Sequence, residues 1–171
     1  VYARPAGRPD RYGALRPALE AAAAEVEHLV DRSAAQTRGE RHVRWATTTR
    51  PGTAGCELDI ARVSVAADAG SNFGGLVRAL DAAGLDRHDR KYLVWVDTAT
   101  TTCSGIATHL DDDRPGQNNY NNTSVGYARV DDSCLARRGA VEAHELMHLL
   151  GAVQRSAPNV SPEGHCRDEW D

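Results

Sequence analysis

The sequence has no apolar run near the roughly 20 residues that a helix needs to cross a bilayer, which excludes a transmembrane helix. It has no excess of positive charge either. Twenty Lys and Arg stand against 24 Asp and Glu, for a formal net charge of -4. That excludes a strongly basic nucleic-acid binder, because phosphate contact favours a concentrated positive surface. Lysine is nearly missing, Lys91 being the only one, and Met147 is the only methionine. With the abundant Ala and Gly, the preference for Arg has the look of a GC-rich coding bias and bears on no mechanism. No CxxC pair occurs: Cys56, Cys103, Cys134 and Cys166 stand 47, 31 and 32 residues apart, which excludes a zinc ribbon. No charged-then-apolar leader is present, and the chain starts at Val1 rather than Met. A removed secretory signal is the expectation. An even number of cysteines fits two disulfides in an exported protein better than free buried thiols.

What is present is the composition of a soluble globular chain: 41% hydrophobic and 26% charged residues over 171 positions, enough to bury a core. One domain spanning 1–171 is expected, clipped at both ends, with 152–171 as the start of a C-terminal subdomain. Val1–Ala3 reads as the tail of a strand. Residues 10–37 read as a long helix, capped by Asp10 and apolar at Leu15, Leu19, Ala22, Val26, Leu29 and Val30. Strands follow at 41–48 and 57–66 around a turn at Arg50-Pro51-Gly52, with a phase break near Arg62 read as a bulge. A helix over 72–84 starts at Ser71 or Asn72 and leaves through Gly84. Residues 91–97 are apolar on both faces, so this strand belongs in the middle of a sheet. Residues 103–110 form a short edge strand, 111–124 a polar loop, 125–131 a strand and 138–150 a helix stopped by Gly151. If 103–110 and 125–131 are antiparallel neighbours, the start of one lies beside the end of the other. Cys103 and Cys134 then come within disulfide reach, leaving Cys56 and Cys166 to pair together or with cysteines beyond Asp171.

Chemistry concentrates at His144-Glu145-Leu146-Met147-His148, an HExxH run on a predicted helix. Residues i and i+4 share a helix face, so both imidazoles can point at one ion. Glu145 lies beside that face, placed to reach a water at the ion rather than the ion itself. Two histidines do not complete a catalytic zinc site, which usually takes three protein ligands. Downstream candidates are Gln154, Glu163, His165, Asp168, Glu169 and Asp171. A neutral imidazole is a better zinc ligand than a carboxamide, which favours His165 in a tail able to fold back under the helix. Gln154 is well placed but chemically weak, and Asp168 is the carboxylate alternative.

The run from His144, His-Glu-Leu-Met-His-Leu-Leu-Gly-Ala-Val-Gln, resembles the HExxHxxGxxH or HExxHxxGxxD signature of the metzincin clan of zinc endopeptidases. His144, Glu145, His148 and Gly151 match, and Gln154 stands at the third-ligand position. The tail from Gly164 to Glu169 looks like that of secreted bacterial zinc peptidases that vary this motif. The resemblance is specific over about ten residues and architectural over most of the chain. It implies an α+β, zincin-like fold with a twisted mixed sheet, a long backing helix and an active-site helix. The methionine turn of that clan has no counterpart here, as Met147 lies inside the motif, and its place is expected beyond Asp171.

The resemblance implies a zinc endopeptidase with one Zn²⁺ held by His144 and His148; ligand chemistry favours His165 as the third ligand, with Gln154 or Asp168 as alternatives, and a secreted monomer is expected. Glu145 serves as general base, and a peptide or protein substrate adds to the edge strand. No membrane or nucleic-acid partner is expected. A second reading is a zinc-bearing binding module without turnover, suggested by the missing third motif histidine and opposed by the intact Glu145. In 111–124, Asp111, Asp112, Asp113, Asn118 and Asn119 are oxygen donors of the kind Ca²⁺ takes. They lack EF-hand spacing, and a solvated loop is the simpler reading.

Overall fold

The computed structural model describes residues 1–49, 55–162 and 164–167. Among the described residues, seven strands and four α-helices follow in the order β1 (Tyr2–Pro5), α1 (Tyr12–Ala35), β2 (Thr47–Thr49), β3 (Cys56–Leu58), β4 (Arg62–Val65), α2 (Phe73–Ala82), β5 (Lys91–Val96), β6 (Gly105–Ala107), α3 (Tyr120–Thr123), β7 (Gly126–Asp131) and α4 (Ala140–Leu149). The mix of helices and a mixed sheet is the α+β class expected. The main sheet runs β4-β1-β5-β7-β6, with β6 antiparallel to β7 and the other pairings parallel. The doubly apolar run at 91–96 is the central strand, as its pattern required. No helix among the described residues is long and apolar enough to cross a membrane.

Side chains alternate across each strand, so one sheet feeds two cores. On one face Tyr2, Leu93, Trp95, Ala128 and Val130 pack against Leu19, Ala22, Ala23 and Val26 of α1 and against Leu146 and Leu149 of α4. On the other, Ala3, Val65, Tyr92, Val94, Val96 and Tyr127 pack against Leu76 and Leu80 of α2. The helix α4 that carries the HExxH motif is thereby clamped between α1 and the β7–β6 edge.

Three expectations change. The strand at 41–48 shrinks to Thr47–Thr49, because the Glu27 carboxylate takes the Val43 N–H at 2.6 Å and draws that segment onto α1. Val43 and Trp45 still pack on the core. The strand at 57–66 is two strands. Cys56–Leu58 pairs with Thr47–Thr49 in a separate ribbon, and Arg62–Val65 joins the main sheet beside β1. The phase break near Arg62 is the passage between two sheets, not a bulge. The long helix is capped one residue later than drawn: Arg11 holds its N-cap position, and Asp10 still accepts the Tyr12 N–H at 3.0 Å. The expected turn at Arg50-Pro51-Gly52 lies outside the described residues.

The Cys103–Cys134 disulfide is present, with Cα atoms 4.7 Å apart. It joins the segment entering β6 to the 3-10 turn Asp132–Arg137 that leaves β7, the antiparallel relation argued above. Cys56 is exposed and Cys166 half-buried, and both are free thiols, so the pair suggested for them does not form.

Candidate metal centre

Helix α4 is set by its buried side. Glu142, Glu145, Leu146 and Leu149 face inward. The Trp95 indole N–H donates to Glu142 Oε1 at 3.0 Å, fixing the helix to the central strand. Desolvation pushes the Glu142 carboxyl up from its ordinary value. Gly151, at φ +91°, takes the left-handed conformation that stops the helix without a Cβ penalty. A Cβ there would also meet the Asn121 amide at 2.9 Å.

His144 and His148 project from one face of α4, one turn apart. His148 Nε2 lies 3.1 Å from His144 Nε2 and 3.2 Å from His165 Nε2. One nitrogen from each of the three rings lies within 4.8 Å of the others, and all three residues are half-buried. His165 arrives on a small hairpin. Val160 bridges Cys166, Ser161 N–H donates to the His165 carbonyl at 2.7 Å, and Arg167 N–H donates to the Asn159 carbonyl at 2.8 Å. That is how an irregular tail folds back under the helix. His148 Nδ1–H donates to the Ala152 carbonyl at 2.7 Å, which leaves Nε2 as the lone-pair nitrogen facing the cluster.

The donor set fits a tetrahedral cation. Zinc at about 2.0–2.1 Å from each of three nitrogens requires nitrogens about 3.3 Å apart. The two separations from His148 Nε2, 3.1 and 3.2 Å, lie just short of that. Among the described residues this is the one cluster of three or more His, Cys, Asp or Glu side chains able to hold a metal ion.

Glu145 is buried, and burial pushes its carboxyl up to about 7, with Arg129 drawing it partly back. Its position is fixed by a neighbour the sequence reading did not single out. A Cβ at Gly105 would fall 2.8 Å from both Cγ and Cδ of Glu145. Only glycine lets β6 close over this carboxylate.

Gln154, at the motif's third-ligand position, is engaged elsewhere. Its amide nitrogen donates to the Leu110 carbonyl at 3.0 Å and the Gly151 carbonyl at 2.9 Å, and its oxygen accepts from the Asp112 N–H at 3.2 Å. It ties the end of α4 to the segment after β6. Glu163, Asp168, Glu169 and Asp171, the other downstream candidates, lie outside the described residues. Asn121 helps the same tie, bonding both the N–H and the carbonyl of Leu110 at 3.3 and 3.1 Å.

In the 111–124 loop, Asp112 is not free for calcium. Its oxygens accept from the Arg114 guanidinium at 2.9 and 2.7 Å, from the Arg114 N–H at 3.1 Å and from the Tyr120 N–H at 2.6 Å. The Arg114 guanidinium, above all, holds this carboxyl well below the usual range. Asp111 pairs with Arg155 at 3.2 Å. The loop is an internally bonded structure that closes with the short helix α3, capped by Asn119. Missed as well was His109, just past β6, whose ring stands edge-on to His148 with centroids 6.1 Å apart. The period of two along 105–109 was the signal that could have found it.

No family model, curated protein or solved structure matches the chain.

Proposed function

We propose that the protein is a secreted, metzincin-like zinc endopeptidase. The observation that carries this is the convergence of His144, His148 and His165 nitrogens beside the buried Glu145. Three neutral imidazoles and no thiolate favour zinc among biological cations and leave a tetrahedral position open for chemistry. When bound, zinc supplies Lewis acidity, lowering the pKa of water at the site toward about 7 and polarising a scissile carbonyl.

The chain's own residues do the rest. Glu145 takes a proton onto its carboxylate as water oxygen bonds to the carbonyl carbon. It then gives that proton to the amide nitrogen as the C–N bond breaks, so the products are a carboxylic acid and an amine. The outer edge of β6 is the last strand position of the main sheet, and a peptide adding there as a further strand would lie along the site. The disulfide supports an oxidising, extracellular setting.

Glu145→Gln tests the reading. The variant keeps the three imidazoles and so binds zinc, while hydrolysis of a peptide library falls by about three or more orders of magnitude. Full activity in this variant overturns the mechanism. Zinc bound at one equivalent with no turnover by the wild type on any library identifies a binding module instead.

A further inference from the structure

Side chains alternate along a strand, so Gly105, Ala107 and His109 share one face of β6 and its continuation. Thr108 N–H and hydroxyl both bond the Tyr127 carbonyl, at 2.9 and 3.1 Å, which carries the ladder one step past Ala107. The shared face is the α4 face. Gly105 lies against Glu145, Ala107 packs on the core beneath α4, and the His109 ring stands edge-on to His148 at an interplanar angle of 85°. Four residues of strand span about 13 Å. One strand therefore presents the general base at one end and an imidazole at the other, with the metal-binding helix alongside.

His109 is also held in a way that core packing does not require. The residue is exposed. Its successor, Leu110, is clamped on its carbonyl by Gln154 and on both its N–H and carbonyl by Asn121. The Gln154 amide nitrogen, a donor only, lies 3.4 Å from His109 Nε2. Both N–H groups of that amide are bound to the Leu110 and Gly151 carbonyls and its nitrogen cannot accept, so a proton on His109 Nε2 would face no acceptor there, which favours the tautomer with its proton on Nδ1. Nδ1–H has no partner among the described residues. A fixed backbone, a ring against a metal-binding histidine and an unused donor together describe an electrophilic group.

Resting on the peptidase reading above, we propose that His109 is a catalytic residue whose N–H donates a hydrogen bond to the scissile carbonyl oxygen as that oxygen takes on negative charge. Such a donor acts on the transition state more than on bound peptide, so its loss falls on kcat rather than KM.

The test uses the full zinc-loaded chain as wild type, His109→Ala and His109→Asn. Zinc affinity is titrated, and kcat and KM are measured on one cleaved peptide. Calorimetry compares a peptidyl phosphonate, which is tetrahedral and anionic, with the uncleaved amide of the same sequence bound to the Glu145→Gln background. For His109→Ala, zinc affinity and KM stay within twofold while kcat and phosphonate affinity each fall by about 100-fold. His109→Asn, whose amide N–H sits where Nδ1–H sits, recovers part of both. Unchanged phosphonate affinity in His109→Ala overturns the proposal. So does a loss of zinc affinity that matches the loss of kcat, since the ring would then merely support His148. A wild type that binds zinc but neither hydrolyses peptide nor binds the phosphonate overturns the peptidase reading itself and, with it, this role.

Discussion

On the proposed mechanism, Gly105→Ala is the smallest change that reaches the chemistry without touching His144, Glu145, His148 or His165. The added methyl would lie 2.8 Å from Cγ and Cδ of Glu145. Ordinary carbon contacts begin near 3.4 Å and Glu145 Oε1 lies closer than either carbon, so something must give by at least about 0.6 Å. The Glu145 side chain has little room to swing, because it is 6% exposed and packed between α4 and the sheet edge. β6 cannot retreat freely either. It is paired to β7 from Gly105 to Ala107, and the segment entering it is held by the Cys103–Cys134 bond. Overpacking of this kind costs about 1–3 kcal/mol in stability. A shift of this size in a proton-carrying group costs up to about 100-fold in rate. Denaturant unfolding reads the first, and kcat/KM on a cleaved peptide reads the second, with zinc content as control. The expected pattern is intact zinc binding, a modest loss of stability and a kcat loss far larger than that stability loss would explain. Wild-type kcat and stability together would refute the claim that Gly105 is required by the close approach of Glu145.

His165→Ala should lower zinc affinity sharply, whereas Gln154→Ala should leave zinc bound and instead loosen the 109–112 segment, seen as faster amide exchange at Asp112; metal titration of both variants decides between them. Replacing Cys103 and Cys134 by serine should cost about 3–4 kcal/mol in denaturant unfolding on the chain-entropy account of a bond spanning 31 residues, and non-reducing peptide mapping should recover the two cysteines in one fragment. In the metal-free protein Glu145 has a folded value near 7 against an ordinary 4.5, so both folded and unfolded chains carry its proton below pH 4.5. Between 4.5 and 7 the unfolded chain ionises first, and stability is lost as pH rises through that window. Glu145→Gln should flatten this part of the profile, and parallel slopes for the two proteins in thermal melts from pH 4 to 8 would count against the buried carboxyl.

The parts of the fold legible from sequence were those in which one periodicity ran undisturbed. Residues 91–96, apolar on both faces, had to be central, and the antiparallel relation of 103–110 to 125–131 followed closely enough to pair two cysteines. The 57–66 segment misled because a continuous strand with a bulge and a chain crossing between sheets leave the same phase break near Arg62. Nothing local separates Glu57, paired to Thr48, from Arg62, paired to Tyr2. At the site, the HExxH spacing dictated which imidazoles share a face. Ligand chemistry then favoured His165 over Gln154, and the structure brings His165 to the pair while spending Gln154 on backbone bonds. Gly105 and Asn121 were illegible because their roles depend on what lies opposite them. A glycine in a strand and an asparagine in a polar loop carry no mark of the carboxylate or the helix end they will meet.

The third imidazole comes from a segment that shares no strand of the main sheet. His144 and His148 are held by a helix whose position the core dictates, but His165 rides on the 159–167 hairpin, held by a few backbone bonds of its own. An ion binding all three is thus a cross-link between the core and the tail. Whatever free energy orders that hairpin is subtracted from metal affinity, and by linkage the bound ion returns it as order in the hairpin, by RT ln(1 + [M]/Kd). Chelation would then do more than empty a site. It would release the 159–167 segment from the helix and uncover the face of α4 that carries His144 and His148, so that on the proposed reading the metal is a latch on that segment as well as a reagent.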